Sequence, residues 1–186
     1  MTRRYAEALT LQSRLLDLAA QRDPAALHDA VPAAAPAFTR AQCLEFARGS
    51  AAAVLGPEFA EADAFAARVR LPDEPLMLVD RILEVRGTPG TLGPGRVVTE
   101  HDVLPNAWYL DGGRAPVCIA VEAGQADLFL CAYLGIDRVV RGRRTYRLLD
   151  ATVEFHRELP RPGETIRYDI EIEKFLRQGE TYLFLF

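Results

Sequence analysis

The clearest pattern along the chain is an alternation of apolar and charged positions in the segment TIRYDIEIEKFL. Every second position is apolar or aromatic: Ile166, Tyr168, Ile170 and Ile172. The positions between them are charged: Arg167, Asp169, Glu171 and Glu173. A period of two places successive side chains on opposite faces of a β-strand. The segment therefore predicts a strand with one buried face and one solvated face, as in an antiparallel sheet.

Four further segments have weaker strand patterns. They are LMLVDRILEV (76–85), RVVTEHDVL (96–104), ATVEFHREL (151–159) and TYLFLF (181–186). A short helix is the alternative for the first of them. The glycine- and proline-rich run RGTPGTLGPGR lies between the first two, and RPG precedes the alternating segment. Strands that follow one another through such turns predict an antiparallel sheet.

A long apolar helix is predicted over residues 117–134, closed by Gly135. Its polar interruptions are Glu122, Gln125 and Asp127. A helix that is apolar on nearly every side is buried rather than exposed on a surface. A curved antiparallel sheet wrapped around a long central helix is the hot-dog fold, an α+β arrangement, and we expect it here.

The N-terminal part of the chain is more lightly patterned and rich in alanine. Leucines at helical spacing predict a first helix: Leu11, Leu15 and Leu18. Two prolines in VPAAAPAF interrupt it. A second helix should begin at Thr39, which has capping-box spacing with Gln42, and stop near Gly56. We interpret residues 1–65 as a helical leader or linker and residues 66–186 as the hot-dog domain.

Composition narrows the classes of function. Of the 186 residues 49% are hydrophobic, which is enough for a sizeable core. The formal net charge is −4, which argues against a nucleic-acid-binding surface. One basic cluster follows the predicted helix: Arg138, Arg141, Arg143 and Arg144. It is either an ordinary solvated loop or a docking patch for an acidic partner such as a carrier protein.

Cysteine usage favours a reducing, cytoplasmic setting. Cys118 and Cys131 lie roughly 20 Å apart along the predicted helix, whereas a disulfide needs Cα atoms within about 7 Å. We expect both to be core residues. No signal-peptide core is visible in MTRRYAEALTLQ, and no apolar run is as long as a membrane span. Three scattered histidines without a cysteine cluster predict no metal site.

Four segments, in this order, resemble the bacterial 3-hydroxyacyl-carrier-protein dehydratases. They are RLPDEPLMLVDRILEV (70–85), LPNAWYL (104–110), VEAGQADLFLCAYLG (121–135) and FHRELPRPGETIRYDIEIEKF (155–175). The set is most similar to the dehydratase-like hot-dog domains of polyunsaturated fatty acid synthases and related polyketide megasynthases. The resemblance covers about residues 68–186 and implies the hot-dog fold.

The resemblance implies loss of water from a 3-hydroxyacyl thioester, carried on the phosphopantetheine of acyl carrier protein, with no other cofactor. In the family a histidine removes the α-proton, a carboxylic acid on the central helix protonates the departing hydroxyl, and backbone N–H groups at the helix start polarise the carbonyl. Glu122 matches the acid, and Gln125 lies about 60° from it around the helix, although the glutamine of many relatives is one residue later. The implied substrate-binding residues are Trp108, Gly113, Arg114 and Pro116.

The chain departs from the family where the histidine is expected. The segment DGGRAPV (111–117) occupies that place, is shorter than its counterpart and contains no histidine. His101 and His156 lack the spacing of a base–acid pair and are expected to be ordinary surface or loop residues. Glu122 itself is either an active-site acid or a structural carboxylate bound by backbone amides.

Three functions remain open. In the first, the chain is one half of a paired hot-dog dehydratase, whose histidine comes from a second hot-dog domain in the same megasynthase or in a homodimer. In the second, it is a non-catalytic, structural or acyl-binding pseudo-dehydratase domain. The third alternative is a hot-dog acyl thioesterase, which works with one carboxylate and no histidine.

The last segment predicts an incomplete sheet. TYLFLF (181–186) should be a strand whose hairpin partner, by the resemblance, follows directly after it. A sheet without that strand exposes unpaired backbone groups along an edge. We therefore expect the hot-dog domain to be incomplete at its C-terminal end, and the chain to be part of a longer protein or to self-associate.

Overall fold

The structure, a computed structural model, describes residues 35–148, 152–154 and 156–184. Short helices come first, followed by a sheet around a longer helix. The first elements are β1 (Phe38–Thr39), α1 (Arg40–Arg48), α2 (Ala51–Leu55), a 3₁₀ turn (Pro57–Phe59) and α3 (Ala60–Asp63). Next come β2 (Arg81–Gly87), β3 (Gly95–Asp102), α4 (Val117–Glu122), a 3₁₀ segment (Ala123–Ala126), α5 (Asp127–Tyr133) and α6 (Ile136–Val140). The last are β4 (Thr165–Ile172), β5 (Phe175–Gln178) and β6 (Thr181–Phe184).

The main sheet has the order β1-β2-β3-β4, and all neighbouring strands are antiparallel. The alternation along β4 is confirmed, because Ile166, Ile170 and Ile172 are buried and the charged residues between them are exposed. Tyr168 is half-buried on the same side. Strand β3 faces β4 in full register, with Val97 opposite Ile170. The predicted antiparallel sheet with one buried face is therefore present.

Three strand boundaries differ from the sequence prediction. The strand predicted from residue 76 is β2, which begins at Arg81. Residues 76–80 form a loop before it, and the part of that loop from Met77 to Val79 is buried. Among residues 151–159, the described positions 152–154 and 156–159 form no strand. The chain also turns after Ile172, so that Phe175–Gln178 pairs with Thr181–Phe184. The last strand thus has a hairpin partner that precedes it, and the expectation that another partner strand follows it stays a prediction.

The central helix is formed by α4, the 3₁₀ segment and α5, from Val117 to Tyr133, close to the predicted range. All residues from Ala126 to Ala132 are buried, as expected for a helix that is apolar all round. It ends at Gly135, whose φ is +96° and whose added Cβ would lie 2.4 Å from the Cα of Gly90. Glycine is required there by both the left-handed backbone and the close approach.

Helix α1 begins as predicted but ends early. Thr39 and Gln42 form the complete capping box. The helix stops at Gly49, and Ser50 caps the separate helix α2 through its side chain, which accepts from the amide of Ala53. The single predicted helix to Gly56 is therefore two helices, because a glycine and a strong N-cap residue interrupt it.

The short N-terminal helices are part of the core, which differs from the interpretation of residues 1–65 as a segment separate from it. Phe46 is fully buried, and its ring contacts that of Phe129 on the central helix edge-on, with 4.9 Å between the ring centroids. Phe38 contacts the same ring at 5.0 Å. The first predicted helix lies outside the described residues, and the domain boundary at residue 65 stays a prediction.

Arg68 attaches this helical segment to the domain. Its buried guanidinium donates to the carbonyl oxygens of Phe46 and Gly49, each at 2.8 Å, and lies 5.0 Å above the Phe46 ring. These carbonyl oxygens lie at the end of α1, where the helix itself provides no further N–H groups to bind them. Asp137 at the start of α6 accepts from the amide of Val69 at 3.1 Å. Among the helices that the structure describes, none is long and apolar enough to cross a membrane.

We predict that Phe129→Ala lowers the free energy of unfolding by about 3–5 kcal/mol, because it leaves a cavity between the central helix and two other rings. Urea denaturation followed by circular dichroism measures this change. Leu104→Ala is the control, since Leu104 is 57% exposed and its truncation should change the value by less than about 0.5 kcal/mol. Equal effects of the two substitutions would show that the aromatic cluster does not stabilise the fold.

Candidate active site

A tight turn leads into the central helix. Asp111 and Arg114 exchange two backbone hydrogen bonds of 3.0 Å. Gly112 and Gly113 between them have φ of 55° and 76°. Positive φ at both central positions is the type I′ turn, which glycine adopts without steric cost. Gly113, an expected substrate-binding residue, is thus exposed at the tip of a turn that requires it.

The central helix starts without a side-chain cap. Pro116 is the N-cap residue, so the amides of Val117 and Cys118 have no acceptor within the helix. Both of these residues are exposed. The exposure of Cys118 corrects the expectation of a core position, which holds for Cys131 but not for a side chain on the outer side of the first turn.

The middle of the helix tightens to 3₁₀ geometry where it contacts the sheet. A Cβ added at Gly124 would lie 3.2 Å from Cε1 of Tyr168 on β4, closer than an ordinary contact. Tyr168 is half-buried, and burial raises its pKa to about 12. A short 3₁₀ stretch inside an α-helix often marks a functional or strained position. Glu122 and Gln125 lie on either side of this glycine.

Glu122 and Gln125 form a hydrogen-bonded pair on one side of the central helix. The amide nitrogen Nε2 of Gln125 donates to Oε1 of Glu122, and both side chains are half-buried. No ion pair of Glu122 is present among the described residues. The partner of this carboxylate is therefore a side-chain amide on the next turn, not the backbone amides of the structural alternative.

The structure places the other expected site residues in the turn region. Trp108 is 59% exposed, and its Nε1 donates to the carbonyl oxygen of Pro75 at 3.1 Å. Arg114 is half-buried, donates to the carbonyl oxygen of Leu159 at 2.8 Å and forms an ion pair with Glu158. No described hydrogen bond joins Trp108 or Arg114 to Glu122. The two groups are connected instead through the buried residues between them.

A smaller core cluster makes this connection. It joins residues of the turn, the helix start and the sheet: Leu78, Val103, Tyr109, Ala115, Ile119, Ala123 and Ile166. Ala115 belongs to the turn and donates its backbone N–H to Pro160 at 2.8 Å. The turn that carries Trp108 and Arg114 therefore shares its packing with the helix that carries Glu122.

His101 is buried, which differs from the expectation of a surface or loop histidine. Its Nδ1 lies 2.8 Å from Oδ2 of Asp80, and its Nε2 lies 2.7 Å from the hydroxyl of Tyr109. Val97 and Thr99 precede it at alternate positions of β3 and are fully buried. This period-two pattern is the signal in the sequence that could have identified His101 as a core-facing residue.

Asp127 is a second buried polar residue that sequence reasoning treated only as an interruption of the helix. It is 1% exposed, and its Oδ2 accepts from the hydroxyl of Tyr146 at 2.6 Å. Its Oδ1 has no hydrogen-bond partner among the described residues. Burial raises the pKa of Asp127 to about 6, although the Tyr146 hydrogen bond lowers it.

Comparison with known families identifies the domain. Residues 71–185 match the model of the FabA-like domain, a range that contains the turn, the central helix and all the expected site residues. The chain belongs to the FabA-like domain family. The resemblance to hot-dog dehydratases and the expected hot-dog fold are both confirmed by this match.

The chain is also similar, over most of its length, to a much larger protein. The chain is 40% identical over 152 residues to a protein of Thraustochytrium sp. that is named as one of the subunits of a polyunsaturated fatty acid synthase. The aligned part is 80% of this chain but 10% of that relative. The chain therefore spans about one tenth of the length of that relative.

The described histidines of this FabA-like domain do not contact the Glu122–Gln125 pair. Both ring nitrogens of His101 already have partners. His156 is exposed and lies 4.0 Å from Glu154. No group of three metal-ligating side chains occurs within the described parts of the chain.

The arginine cluster divides into two groups. Arg138 and Arg141 contact the N-terminal segment, through the carbonyl oxygen of Glu58 at 2.7 Å and an ion pair with Glu61. Arg143 and Arg144 instead line a cleft of about 150 Å³ beside the β5–β6 hairpin. The further residues of this cleft are Val139, Val140, Arg177, Glu180 and Tyr182. Two arginines of the cluster, Arg138 and Arg141, thus bind the N-terminal segment, and the other two, Arg143 and Arg144, line the cleft, which we call the basic cleft.

We predict that Asp127→Asn is more stable than the wild type at pH 8, and that this gain in the free energy of unfolding is absent at pH 4. The pKa of Asp127 rises from 3.8 to about 6 on folding, so the wild type loses stability as the pH rises through this interval and the loss is complete above it. The shift corresponds to about 3 kcal/mol at most. Asparagine avoids this loss, since it cannot ionise and still accepts from Tyr146.

Urea denaturation at both pH values measures the effect. The exposed Asp111→Asn is the matched control and should retain the pH dependence of the wild type. If Asp127→Asn also retained it, burial of an ionised Asp127 would not be a cost to this fold.

Proposed function

We propose that this chain is a dehydratase-like domain acting on 3-hydroxyacyl thioesters carried by acyl carrier protein in fatty acid or polyketide synthesis, and that it is the half of a paired hot-dog that lacks the histidine. The observation that carries the proposal is the Glu122–Gln125 pair on the central helix of a FabA-like domain. The name of the Thraustochytrium relative supports the pathway. The substrate itself is inferred from the chemistry of the family.

In this proposal Glu122 is the general acid. Gln125 donates a hydrogen bond to Oε1, so Oε2 is the oxygen left to carry the proton. As the α-proton leaves to a histidine, the electrons of that C–H bond form the double bond, and the β-hydroxyl departs as water with the proton from Glu122. Backbone N–H groups at the uncapped helix start polarise the thioester carbonyl.

The histidine comes from a second hot-dog domain in this proposal. Both ring nitrogens of His101 have partners, and His156 is exposed and has no described contact with Glu122. The segment in place of the family's histidine segment is residues 111–117, which includes the turn Asp111–Arg114. Turn residues Trp108, Gly113, Arg114 and Pro116 would line the approach of the phosphopantetheine arm. Apart from that carrier-bound arm, the reaction needs no cofactor.

One further activity fits the same carboxylate. Hydrolysis of an acyl thioester needs a single general base or nucleophile and no histidine, so a lone Glu122 beside Gln125 is also compatible with a thioesterase. A non-catalytic domain that only binds acyl chains would use neither residue. The three functions can be distinguished by their outcome with thioester substrates: dehydration, hydrolysis or binding without reaction.

We predict that the isolated chain does not dehydrate 3-hydroxyacyl-carrier thioesters at ordinary enzyme rates of about 1–1000 per second. Activity should appear when a histidine-bearing hot-dog domain of the same synthase type is added. In that mixture Glu122→Gln should lower kcat by about 10²–10⁴-fold, because the amide cannot donate the proton in place of the acid. Mass spectrometry of the carrier-bound product measures the conversion.

Glu154→Gln is the matched control, since Glu154 is an exposed carboxylate outside the central helix and its substitution should leave kcat unchanged. Hydrolysis of saturated acyl thioesters by the isolated chain would indicate the thioesterase instead. Binding of thioesters without any product in the mixture would indicate the non-catalytic domain.

The basic cleft is the proposed contact for the acidic carrier protein. No side-chain partner of Arg143 is present among the described residues, whereas Arg144 pairs with Glu180 at 2.6 Å. The Arg177 guanidinium lies 5.8 Å above the Tyr182 ring. An arginine without a competing carboxylate gains most from an incoming anionic surface.

We predict that Arg143→Glu weakens carrier binding about tenfold at low salt, with a smaller effect at high salt because exposed charges are screened. Isothermal titration calorimetry at two salt concentrations measures this. Arg141→Glu is the control from the same loop, since Arg141 is already paired with Glu61 outside the cleft. Unchanged affinity for Arg143→Glu at low salt would eliminate the cleft as the contact.

A further inference from the structure

A buried chain of hydrogen bonds lies apart from the Glu122–Gln125 pair. It runs from Asp80, in the loop before β2, through His101 on β3 to Tyr109 in the turn region. His101 and Tyr109 are 8% and 7% exposed. Their rings are 5.8 Å apart between centroids. Buried polar groups of this kind are stable only when each one has a partner.

Asp80 determines which nitrogen of His101 carries the proton. Its Oδ2 accepts from Nδ1 of His101 and from the backbone amide of Asp102, and its Oδ1 is paired with Arg40 on α1. Burial raises the pKa of Asp80, but these hydrogen bonds and charges outweigh burial and hold it below its usual value. A carboxylate at Nδ1 keeps the proton there in neutral imidazole, so Nε2 is an acceptor.

Tyr109 therefore donates its hydroxyl proton to Nε2 while His101 is neutral. Protonation of His101 would convert Nε2 into a donor to the Tyr109 oxygen, and the buried tyrosine proton would then lose Nε2 as its acceptor. The other charges around this chain are already paired: Asp102 with Arg81 at 2.7 Å, and Arg40 with Glu74 at 2.9 Å. The opposite position on β4 is the apolar Ile166.

Tyr109 connects this chain to the candidate site. It packs in the smaller core cluster with Ile119 and Ala123 of the central helix. The ring of Trp108 contacts it edge-on at 5.6 Å. Tyr109, together with the carbonyl oxygen of Pro75, thus holds the exposed Trp108.

We propose that His101, oriented by Asp80, is a positioning residue that holds Tyr109 against the start of the central helix and, through Tyr109, the Trp108 side chain. Where thioester binding is concerned, this inference rests on the proposed function of the domain. The hydrogen bond from Tyr109 to His101 keeps the turn in place, and loss of this acceptor loosens it. The residue touches no substrate and acts through Tyr109.

Trp108 is the single tryptophan of the chain, so its near-UV circular dichroism and fluorescence anisotropy report the turn directly. In the wild type the Trp108 signal should be ordered at pH 8 and should weaken on acidification. Tyr109→Phe and His101→Phe should lack the ordered signal already at pH 8. His101→Gln should retain it at every pH, because its amide oxygen accepts from Tyr109 and does not titrate.

His156→Gln is the matched control and should behave as the wild type at every pH. A Trp108 signal in Tyr109→Phe equal to that of the wild type would overturn the proposal, as would a pH transition that persists in His101→Gln. Tyr109→Phe is the smallest of these changes and retains the ring, so it decides the question even if a His101 variant fails to fold.

Titration with a soluble 3-hydroxyacyl thioester gives the functional readout. The dissociation constant should rise about tenfold in Tyr109→Phe, the effect of losing one hydrogen bond, and should remain at the wild-type value in His156→Gln. If the wild type bound no thioester, the proposed function would fail, and the spectroscopic comparison would still decide the positioning role of His101.

Discussion

The structure depends on the burial of a helix that is apolar on nearly every side. Such a helix cannot be covered by one sheet face, so a second layer has to contact its remaining sides. Strands β3 and β4 cover one side, and the short helices around Phe46 cover another through the aromatic contact with Phe129. The segment before the matched FabA-like range therefore completes the core, and Arg68 binds it there by hydrogen bonds to the end of α1.

Burial of this helix also determines the character of its polar residues. Glu122 and Gln125 bind each other on the half-buried stretch, whereas Asp127 lies where all neighbouring helix positions are buried. A carboxyl in such a position retains its proton more strongly, and the hydroxyl of Tyr146 supplies a partner for one of its oxygens. The same helix thus carries a candidate acid at its accessible part and a polar contact to the following loop deeper inside.

The candidate site combines a rigid helix with a turn that has few contacts of its own. The type I′ turn at Gly112 and Gly113 is exposed, and Trp108 is held by the Pro75 carbonyl and by Tyr109. Precise placement of a binding turn requires support from residues that do not contact the ligand. The hydrogen bonds from Asp80 through His101 provide such support from the sheet.

Local patterns determined much of this architecture: the alternation in β4, the continuous apolar run of the central helix, the capping box at Thr39 and the ordered motifs that indicate the FabA-like family. They also placed Glu122 and Gln125 on one face, because helical geometry follows from spacing alone. Tertiary structure decided the rest. Whether Phe46 joins the core, whether β4 ends at Ile172, and whether His101 is buried between Asp80 and Tyr109 depend on contacts between residues distant in sequence. No local period encodes such contacts, since their free energy arises only when the segments pack together.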